Sequence, residues 1–257
     1  MELIVIGAGP AYTDRRGAAA ASYLVRAEGA ALLLDLGQGS FPNLASMLEP
    51  SCLAAVLVSH LHPDHFVDLV PLRHYLCYEF DPPRRVRVLG PAGLGERLDA
   101  LCALPGFAAA SLDIEHLTPG EMRIGPFVVE TGGVAHTDES YAFRVAVAAE
   151  GSGSGAPSAG SGLVYSGDCG RADDLVPLIR PGDTLLSEAS FGAKPVPTGA
   201  EHLTAADAAR AASTGGAARL LLTHIQMGFS RADALAAAQS VFSGPAQLVA
   251  DGDRFDI

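Results

Sequence analysis

Residues 59–65 read Ser-His-Leu-His-Pro-Asp-His, so four side chains of metal-binding type fall within six positions. Imidazole nitrogens and carboxylate oxygens are good donors for zinc. In an extended segment, residues two apart point the same way, so His60 and His62 can converge on one ion. As the chain turns into a following helix, Asp64 and His65 can reach a second ion nearby. The alternative is an exposed polar loop in which the histidines fall by chance.

Three further metal-binding residues stand at the tips of apolar strands elsewhere in the chain. His136 follows a strand and a Gly-Gly pair, Asp168 ends the run LVYSGD, and His224 ends the run RLLLTH. Sheets of α/β proteins place their sites at such strand ends. Any one of these residues could be a polar side chain with ordinary hydrogen bonds. Together with the segment 59–65, however, they make four strand ends that carry metal-binding residues, which favours a shared metal site.

The series HxHxDH, then His, Asp and His, resembles the metallo-β-lactamase superfamily of hydrolases, and the resemblance spans nearly the whole chain. It implies an α/β fold, a four-layer αββα sandwich, formed here by a single domain of residues 1–257. It also implies two divalent metal ions, with zinc expected and manganese as the alternative. By resemblance, one ion takes His60, His62 and His136, the other takes Asp64, His65 and His224, and Asp168 bridges both.

The later motifs resemble the phosphodiesterase branch of that superfamily, which includes the tRNA 3′-end endonuclease (RNase Z) and cyclic-nucleotide phosphodiesterases. YSGDCG (165–170) is similar to the usual YSGDT, with Cys169 in place of Thr. LLSEASF and EHLTAADAA resemble the Glu-Ala strand end and the His segment before a helix. VAHTDESYAFRV and LLLTHI resemble small actinobacterial members described as cyclic-AMP phosphodiesterases.

The chemistry expected of this site assigns catalytic roles to Asp64, His202 and Glu188. Two adjacent metal ions lower the pKa of a water between them, bind a phosphoryl oxygen and offset charge on the leaving oxygen. Asp64 would bind metal and orient the attacking water. His202 would donate a proton or contact the phosphate, and Glu188 would orient His202 or a ligand. Alternatively, His202 is a helix N-terminal residue satisfied by water.

Asp35 ends the apolar run LLLDLG. Its carboxylate has two interpretations of nearly equal weight: it braces the metal loop, or it caps a turn at the end of a strand. His74 and His116 fall outside the motifs and receive no role. Cys169 adjoins the bridging carboxylate, and a small buried side chain is the simpler interpretation.

Charge and chain length bear on the substrate. The chain has 17 basic and 29 acidic residues, a net charge of −12, and an acidic surface repels polyanions. Full-length tRNA-processing members carry a long projecting arm, expected in the bacterial form between the equivalents of His136 and Asp168. That interval is 168 − 136 = 32 residues here, and its Gly/Ser-rich loop has no Lys or Arg. An arm that grips tRNA needs Lys or Arg side chains to neutralise the phosphates. We therefore predict a small phosphodiester substrate, such as cyclic AMP, rather than tRNA.

Three alternative functions stay in view: a tRNA 3′-end endonuclease-like nuclease, a thioesterase of glyoxalase II type, and a non-catalytic metal-binding regulatory protein. The thioesterase shares HxHxDH but is not expected to show the EAS and EHLT segments together. A β-lactamase is disfavoured by Asp168, where zinc β-lactamases commonly use Cys or His. The complete ligand set together with His202 disfavours the non-catalytic protein.

Short apolar runs bounded by Gly, Asp or Ser predict the strands that must position these residues. The predicted strands are 2–7, 22–27, 31–37, 53–60, 86–91, 122–133, 140–150, 163–167, 183–190, 218–224 and 246–250. Predicted helices are 65–80, 93–104, 173–179, 204–214 and 230–242, with Thr204 and Ser230 as N-caps of the last two. Residues 151–162 are predicted to form an exposed hairpin tip.

The segment GAGPAY (7–12) follows the first strand and begins like a dinucleotide fingerprint. Tyr12 stands where the third glycine belongs, and no clear helix follows to hold a pyrophosphate. A tight turn after the first strand is the preferred interpretation.

The four cysteines form no CxxC pair, which indicates a reduced intracellular set. The N-terminus has no basic n-region, and no apolar run approaches the roughly 18 residues of a bilayer span. We therefore expect a cytoplasmic protein without membrane contact. The family resemblance also predicts a homodimer.

Overall fold

The computed structural model describes residues 1–148 and 161–257, which contain every element given below. The strands of the first half are β1 (Glu2–Gly7), β2 (Ser22–Ala27), β3 (Ala30–Leu34), β4 (Ala55–Leu57), β5 (Val86–Gly90) and β6 (Leu112–His116). Those of the second half are β7 (Gly120–Ile124), β8 (Phe127–Gly133), β9 (Tyr141–Val147), β10 (Leu163–Tyr165), β11 (Thr184–Glu188), β12 (Arg219–Thr223), β13 (Ala246–Leu248) and β14 (Arg254–Asp256). The α-helices are α1 (Ser40–Met47), α2 (Pro63–Phe66), α3 (Leu69–Tyr78), α4 (Leu94–Leu101), α5 (Ala205–Gly215) and α6 (Arg231–Gln239).

The strands form two mixed sheets of seven strands each, with the orders β14-β1-β2-β3-β4-β5-β6 and β13-β12-β11-β10-β9-β8-β7. Each sheet has a parallel part and an antiparallel part. The parallel strands are β3 to β6 in the first sheet and β10 to β13 in the second, and the remaining neighbours are antiparallel. The parallel strands β4, β11 and β12 are buried along nearly their whole length. Sheets covered on both faces need such continuous apolar runs.

Three separate apolar cores show how the layers stack. The first lies between the two sheets and joins residues such as Val25 of β2 and Phe143 of β9. The second packs the outer face of the second sheet against the alanine-rich face of α5. The third packs the outer face of the first sheet against α1, α3 and α4. Helix, sheet, sheet and helix are therefore stacked in that order, and the predicted αββα sandwich is confirmed.

Two late helices begin where their sequences predict. The Thr204 hydroxyl accepts a hydrogen bond from the Asp207 backbone N–H, and the Asp207 carboxylate accepts one from the Thr204 N–H. This reciprocal capping box satisfies two orphan donors at the start of α5. Ser230 caps α6 by a single hydrogen bond, which its hydroxyl accepts from the Asp233 N–H.

Several predicted boundaries are wrong. The predicted strand 122–133 is a hairpin of two strands, β7 and β8, because Gly125 turns the chain with a φ of 57°. Strand β4 covers three residues rather than the whole of 53–60, and the predicted helix 65–80 divides into α2 and α3. The predicted helix 173–179 is a pair of 3₁₀ turns. The sequence reasoning also missed α1, β6 and β14.

No helix directly follows the segment GAGPAY, since the next helix, α1, begins only at Ser40, so the dinucleotide role stays excluded. Most of the predicted hairpin tip 151–162 lies outside the described residues. Among the helices of the described residues, none is long and apolar enough to cross a membrane.

Candidate metal centre

The predicted ligands gather at one edge of the two sheets, where parallel strands end. His60 follows β4, Asp168 follows β10 and His224 follows β12 directly. Strands β10, β11 and β12 run parallel, so their carboxyl ends open at the same edge. His136 reaches this edge from the loop after β8, and His65 reaches it from α2.

Three imidazoles and one carboxylate lie close enough together to hold one ion and are called here the first ligand set: His60, His62, His136 and Asp168. Nδ1 of His62 lies 3.0 Å from Nε2 of His60 and 3.0 Å from Nε2 of His136. Oδ2 of Asp168 lies 3.8 Å from both of those Nε2 atoms. Donors about 2.0–2.1 Å from a tetrahedral zinc ion stand roughly 3.3 Å from one another. The observed spacings bracket that value.

A second set lies beside the first and consists of Asp64, His65, Asp168 and His224. Nε2 of His224 is 3.1 Å from Oδ2 of Asp64, and Nε2 of His65 is 3.7 Å from the same oxygen. Oδ1 of Asp168 is 3.3 Å from Nε2 of His65. All four side chains are buried, which excludes most solvent from this half of the centre.

Asp168 turns one oxygen toward each set, Oδ2 to the first and Oδ1 to the second. Its Oδ1 and the Nε2 of His65 are buried and have no hydrogen-bond partner in the described residues. An unpaired buried polar atom costs about 1–3 kcal/mol, so two such atoms facing one another indicate a missing partner that both can bind. A divalent cation is such a partner, and the nitrogen and oxygen donors fit one.

The outer nitrogens of four ligand histidines are held by hydrogen bonds. Nδ1 of His136 donates to the Glu201 carbonyl at 2.7 Å, and Nδ1 of His224 lies 3.0 Å from the Ser190 hydroxyl. Nδ1 of His60 lies 3.1 Å from the Ser59 hydroxyl, and Nδ1 of His65 donates to Asp35 at 2.7 Å. Such partners fix the tautomer and the ring orientation of a metal ligand.

The charge states of two of these residues, His60 and Asp168, suit metal binding. Burial, reinforced by the neighbouring His65, holds the pKa of His60 well below its ordinary value, so the ring is neutral and one of its nitrogens is free to bind a metal ion. Burial raises the pKa of Asp168, but the charges of His224 and His65 outweigh it and hold that pKa well below the ordinary value. The Asp168 carboxylate is therefore ionised, as a metal ligand must be.

His202 and Glu188 form a pair beside the first ligand set. Nδ1 of His202 donates to Oε1 of Glu188 at 3.0 Å, and the His202 ring lies 4.7 Å from the His136 ring. The Glu188 carboxylate also accepts the N–H groups of Cys169 and Ser190, which hold it in place. Burial lowers the pKa of His202, but the hydrogen bond and charge of Glu188 outweigh it and raise the pKa to about 9.

The carboxylate of Asp35 braces the metal loop rather than capping a turn. It accepts hydrogen bonds from the N–H and hydroxyl of Ser59, from the His65 ring and from the Tyr165 hydroxyl. Asp35 has a φ of 58° and His224 a φ of 57°, a left-handed conformation that is costly for residues other than glycine. Such strain collects at functional sites because the surrounding structure holds it there.

Gly37 lets the segment after β3 approach the metal loop. A Cβ at this position would stand 1.9 Å from the carbonyl oxygen of Asp64. Only a residue without a side chain tolerates that approach.

The histidines without an assigned role lie away from the ligand sets. His74 is exposed on α3 and bonds the Val70 carbonyl, and His116 ends β6 in an ion pair with Glu139. Cys169 is fully buried, and burial raises the pKa of its thiol to about 12, which agrees with a small structural side chain.

Sequence reasoning missed the outer partners Tyr165, Ser190 and Glu201. Two of these could have been found from the sequence, because Tyr165 lies in the YSGD segment with Asp168 and Ser190 lies in the EAS segment with Glu188. No sequence signal reveals Glu201, because it acts through its backbone carbonyl.

Comparison with known proteins places this geometry in a family. A family model described as "Beta-lactamase superfamily domain" matches residues 33–225. The chain is 35% identical over 247 residues to the uncharacterized protein ML1173 of Mycobacterium leprae (strain TN), covering 93% of this chain and 82% of that protein. It is 28% identical over 283 residues to a ribonuclease Z of Bradyrhizobium sp. (strain ORS 278), covering 91% and 92%.

A solved structure agrees with these sequence matches. The crystal structure of the metallo-β-lactamase fold protein YhfI from Bacillus subtilis superposes with a TM-score of 0.84 at 26% identity, covering 99% of both chains. The sequence of YhfI, described as a probable metallo-hydrolase, matches 91% of this chain. The chain therefore belongs to the β-lactamase superfamily and is a metallo-hydrolase with the metallo-β-lactamase fold.

Proposed function

We propose that this protein is a phosphodiesterase that holds two divalent cations and hydrolyses a small phosphodiester, such as a cyclic nucleotide with cyclic AMP foremost. The observation that carries the proposal is the His202–Glu188 pair, hydrogen-bonded at 3.0 Å beside the carboxylate that faces both ligand sets. A site that only stores metal has no need of a proton donor held in place next to it.

Each of the two ligand sets would hold one cation. His60, His62 and His136 would hold one cation, Asp64, His65 and His224 the other, and Asp168 both. When bound, the cations lower the pKa of a water between them and offset charge on the phosphoryl oxygens. The Asp64 carboxylate, 3.1 Å from Nε2 of His224, is placed to orient the attacking water as well as to bind.

Proton delivery falls to His202. Glu188 holds Nδ1, which leaves Nε2 for the substrate, since the hydrogen bonds of the described residues do not engage it. As the water oxygen bonds to phosphorus, the bond from phosphorus to the leaving oxygen breaks, and the proton on Nε2 passes to that oxygen. The products are a phosphomonoester and an alcohol, or one linear nucleotide when the substrate is cyclic.

A tRNA 3′-end nuclease is the second candidate, because a relative at 28% identity is named ribonuclease Z. The net charge of −12 and the lack of Lys and Arg in residues 149–162 favour the small substrate. Cleavage of precursor tRNA alone in a substrate panel would reverse this order.

The direct test is hydrolysis of bis-p-nitrophenyl phosphate by the zinc- or manganese-loaded protein. We expect turnover in the wild type and its loss in His62→Ala. His74→Ala is the matched control, because His74 is an exposed histidine outside the ligand sets. Full activity in His62→Ala would show that the ligand assignment is wrong.

A second measurement separates the substrate classes. The panel contains cyclic AMP, 2′,3′-cyclic nucleotides, precursor tRNA and S-lactoylglutathione. We expect cyclic-nucleotide hydrolysis, whereas cleavage of S-lactoylglutathione alone would indicate the thioesterase. Metal binding without any turnover would indicate the regulatory protein.

Zinc as the resident metal, a homodimer and a cytoplasmic location belong to the same proposal. Each has its own measurement: elemental analysis of purified protein, light scattering in solution, and fractionation of cells that express the chain.

A further inference from the structure

A cavity of about 430 Å³ opens beside His62, and its other lining residues belong to neither ligand set. A second cavity, of about 520 Å³, opens beside His202. The two share no lining residue. The His136 ring contacts both His62, at 4.9 Å, and His202, at 4.7 Å, so the two cavities adjoin the metal centre at different points.

The cavity beside His62 has an apolar wall and one cation. Leu61, Pro91 and Ala92 supply the wall, and Arg97 of α4 supplies the cation. Arg97 is exposed, and its guanidinium forms no hydrogen bond or ion pair with other described residues. An unpaired guanidinium next to an apolar wall can present its flat face to a planar group.

Two carboxylates also line this cavity, those of Asp138 and Glu139. The Glu139 carboxylate accepts the Ala92 N–H at 2.8 Å and pairs with His116 at 3.0 Å, which fixes the loop that carries it. With two carboxylates against one arginine, the cavity disfavours a second phosphate group. It favours an uncharged group that has N–H or O–H donors.

His62 offers this cavity a hydrogen-bonding group, its Nε2. It faces the other ligands through Nδ1, and its Nε2 has no partner in the described residues, unlike the outer nitrogens of the other ligand histidines. The exposed His62 ring therefore forms the border between the metal centre and this cavity.

We propose that the cavity beside His62 binds the nucleoside part of a nucleotide phosphodiester, with the Arg97 guanidinium stacked on the base. The proposal rests on the phosphodiesterase function above and names its substrate class. A phosphoryl group at the metal centre places one ester arm toward His62 and the leaving oxygen toward His202. In an acyclic diester the nucleoside is thus the retained arm, and the departing alcohol leaves through the cavity beside His202. In a cyclic nucleotide both ester oxygens belong to the one nucleoside, so the hydroxyl freed on the side of His202 stays attached to it.

Two esters with the same leaving group test this assignment. Thymidine 5′-(p-nitrophenyl phosphate) and methyl p-nitrophenyl phosphate both release p-nitrophenolate and differ only in the retained arm. Arg97→Ala should lower kcat/KM for the thymidine ester about tenfold and leave the methyl ester unchanged, since removal of a base-stacking side chain has about that effect. Arg97→Lys should lose most of the same preference, because an ammonium group has no flat face.

Arg210→Ala is the matched control, because Arg210 lines the cavity beside His202. It should leave the ratio of the two esters at the wild-type value. If Arg210→Ala changes the ratio and Arg97→Ala does not, the nucleoside lies in the other cavity and the proposal is overturned. An equal loss on both esters in Arg97→Ala would also overturn it.

A binding measurement separates this proposal from the proposed function. Calorimetric titration of the metal-loaded protein with thymidine 5′-monophosphate and with methyl phosphate needs no turnover. Tighter binding of the nucleotide that Arg97→Ala weakens about tenfold would support the cavity assignment even if neither ester is hydrolysed. Equal binding of the two monoesters to the wild type would overturn it.

Discussion

Oδ2 of Asp35 lies 2.7 Å from Nδ1 of His65, and the opposite nitrogen of the same ring faces Asp168 at 3.3 Å. The imidazole is thus held between a bracing carboxylate and the bridging carboxylate. A histidine that donates Nδ1–H in this way must present Nε2 as its unprotonated donor when a cation binds. Asp35 therefore decides which nitrogen His65 offers.

Asp35→Asn should weaken metal binding about 10- to 100-fold, the usual cost of losing a ligand's outer partner. The amide keeps the size of the side chain but removes the charge that holds His65. Competition with a chromophoric chelator measures the affinity directly, and circular dichroism checks that the variant is folded. Tyr165→Phe removes one donor to the same carboxylate and should have a smaller effect. Unchanged affinity in Asp35→Asn would mean that the brace has no influence on the metal.

Metal content should depend on which ligand is removed. His62→Ala affects the first ligand set alone and should retain about one ion per chain, whereas Asp168→Ala affects both sets and should retain less than one. Wild type and His74→Ala should both hold about two. Elemental analysis after dialysis gives the counts. Equal counts in His62→Ala and Asp168→Ala would contradict the bridging role of Asp168.

His202 and Glu188 should behave as one unit in catalysis. His202→Gln should lower kcat on cyclic AMP, whose leaving oxygen is a poorly stabilised alkoxide, about 100-fold or more, the usual contribution of a general acid. Glu188→Gln should lower it by a comparable factor, because the amide no longer favours the protonated ring. The double variant should be little worse than either single one, since residues that act together are non-additive. Losses that multiply in the double variant would show that the two residues act independently.

The sequence predicted which His and Asp residues gather at one place, because each of them stands at a visible signal. His60, Asp168 and His224 follow apolar strand runs, and the carboxyl ends of parallel strands in a sheet lie at the same edge. The same signals predicted β1, β2, β5 and β11 at or near their observed bounds. Capping residues predicted the starts of α5 and α6, because a Ser or Thr side chain satisfies local backbone donors without any tertiary partner.

Features that depend on tertiary contacts could not be predicted. Strand β14 has three residues and is defined by its pairing with β1 at the far end of the chain. Helix α1 has no side-chain N-cap and is held by packing on the first sheet. The bracing role of Asp35 was left undecided, since its partners Ser59 and Tyr165 lie 24 and 130 residues away along the chain.

The stability of the metal-free protein should fall as the pH rises, in part through His202. Burial lowers the pKa of this ring, but Glu188 outweighs burial and raises the pKa from 6.5 to about 9 in the folded state. A raised folded-state pKa means that the folded chain holds the proton more tightly than the unfolded chain does. The resulting stabilisation is fully present below pH 6.5 and is lost as the pH rises through about 9.

His202→Gln isolates this contribution, because His65 and His224 also have raised pKa values and remain in the variant. Urea unfolding of chelator-treated protein at pH 6.5 and pH 9 gives the free energies of unfolding. The advantage of the wild type over His202→Gln should be larger at the lower pH. Saturating zinc should shrink that difference, since nearby cations oppose protonation of the ring. A wild-type advantage that grows with pH would show that Glu188 does not hold His202 in its protonated form.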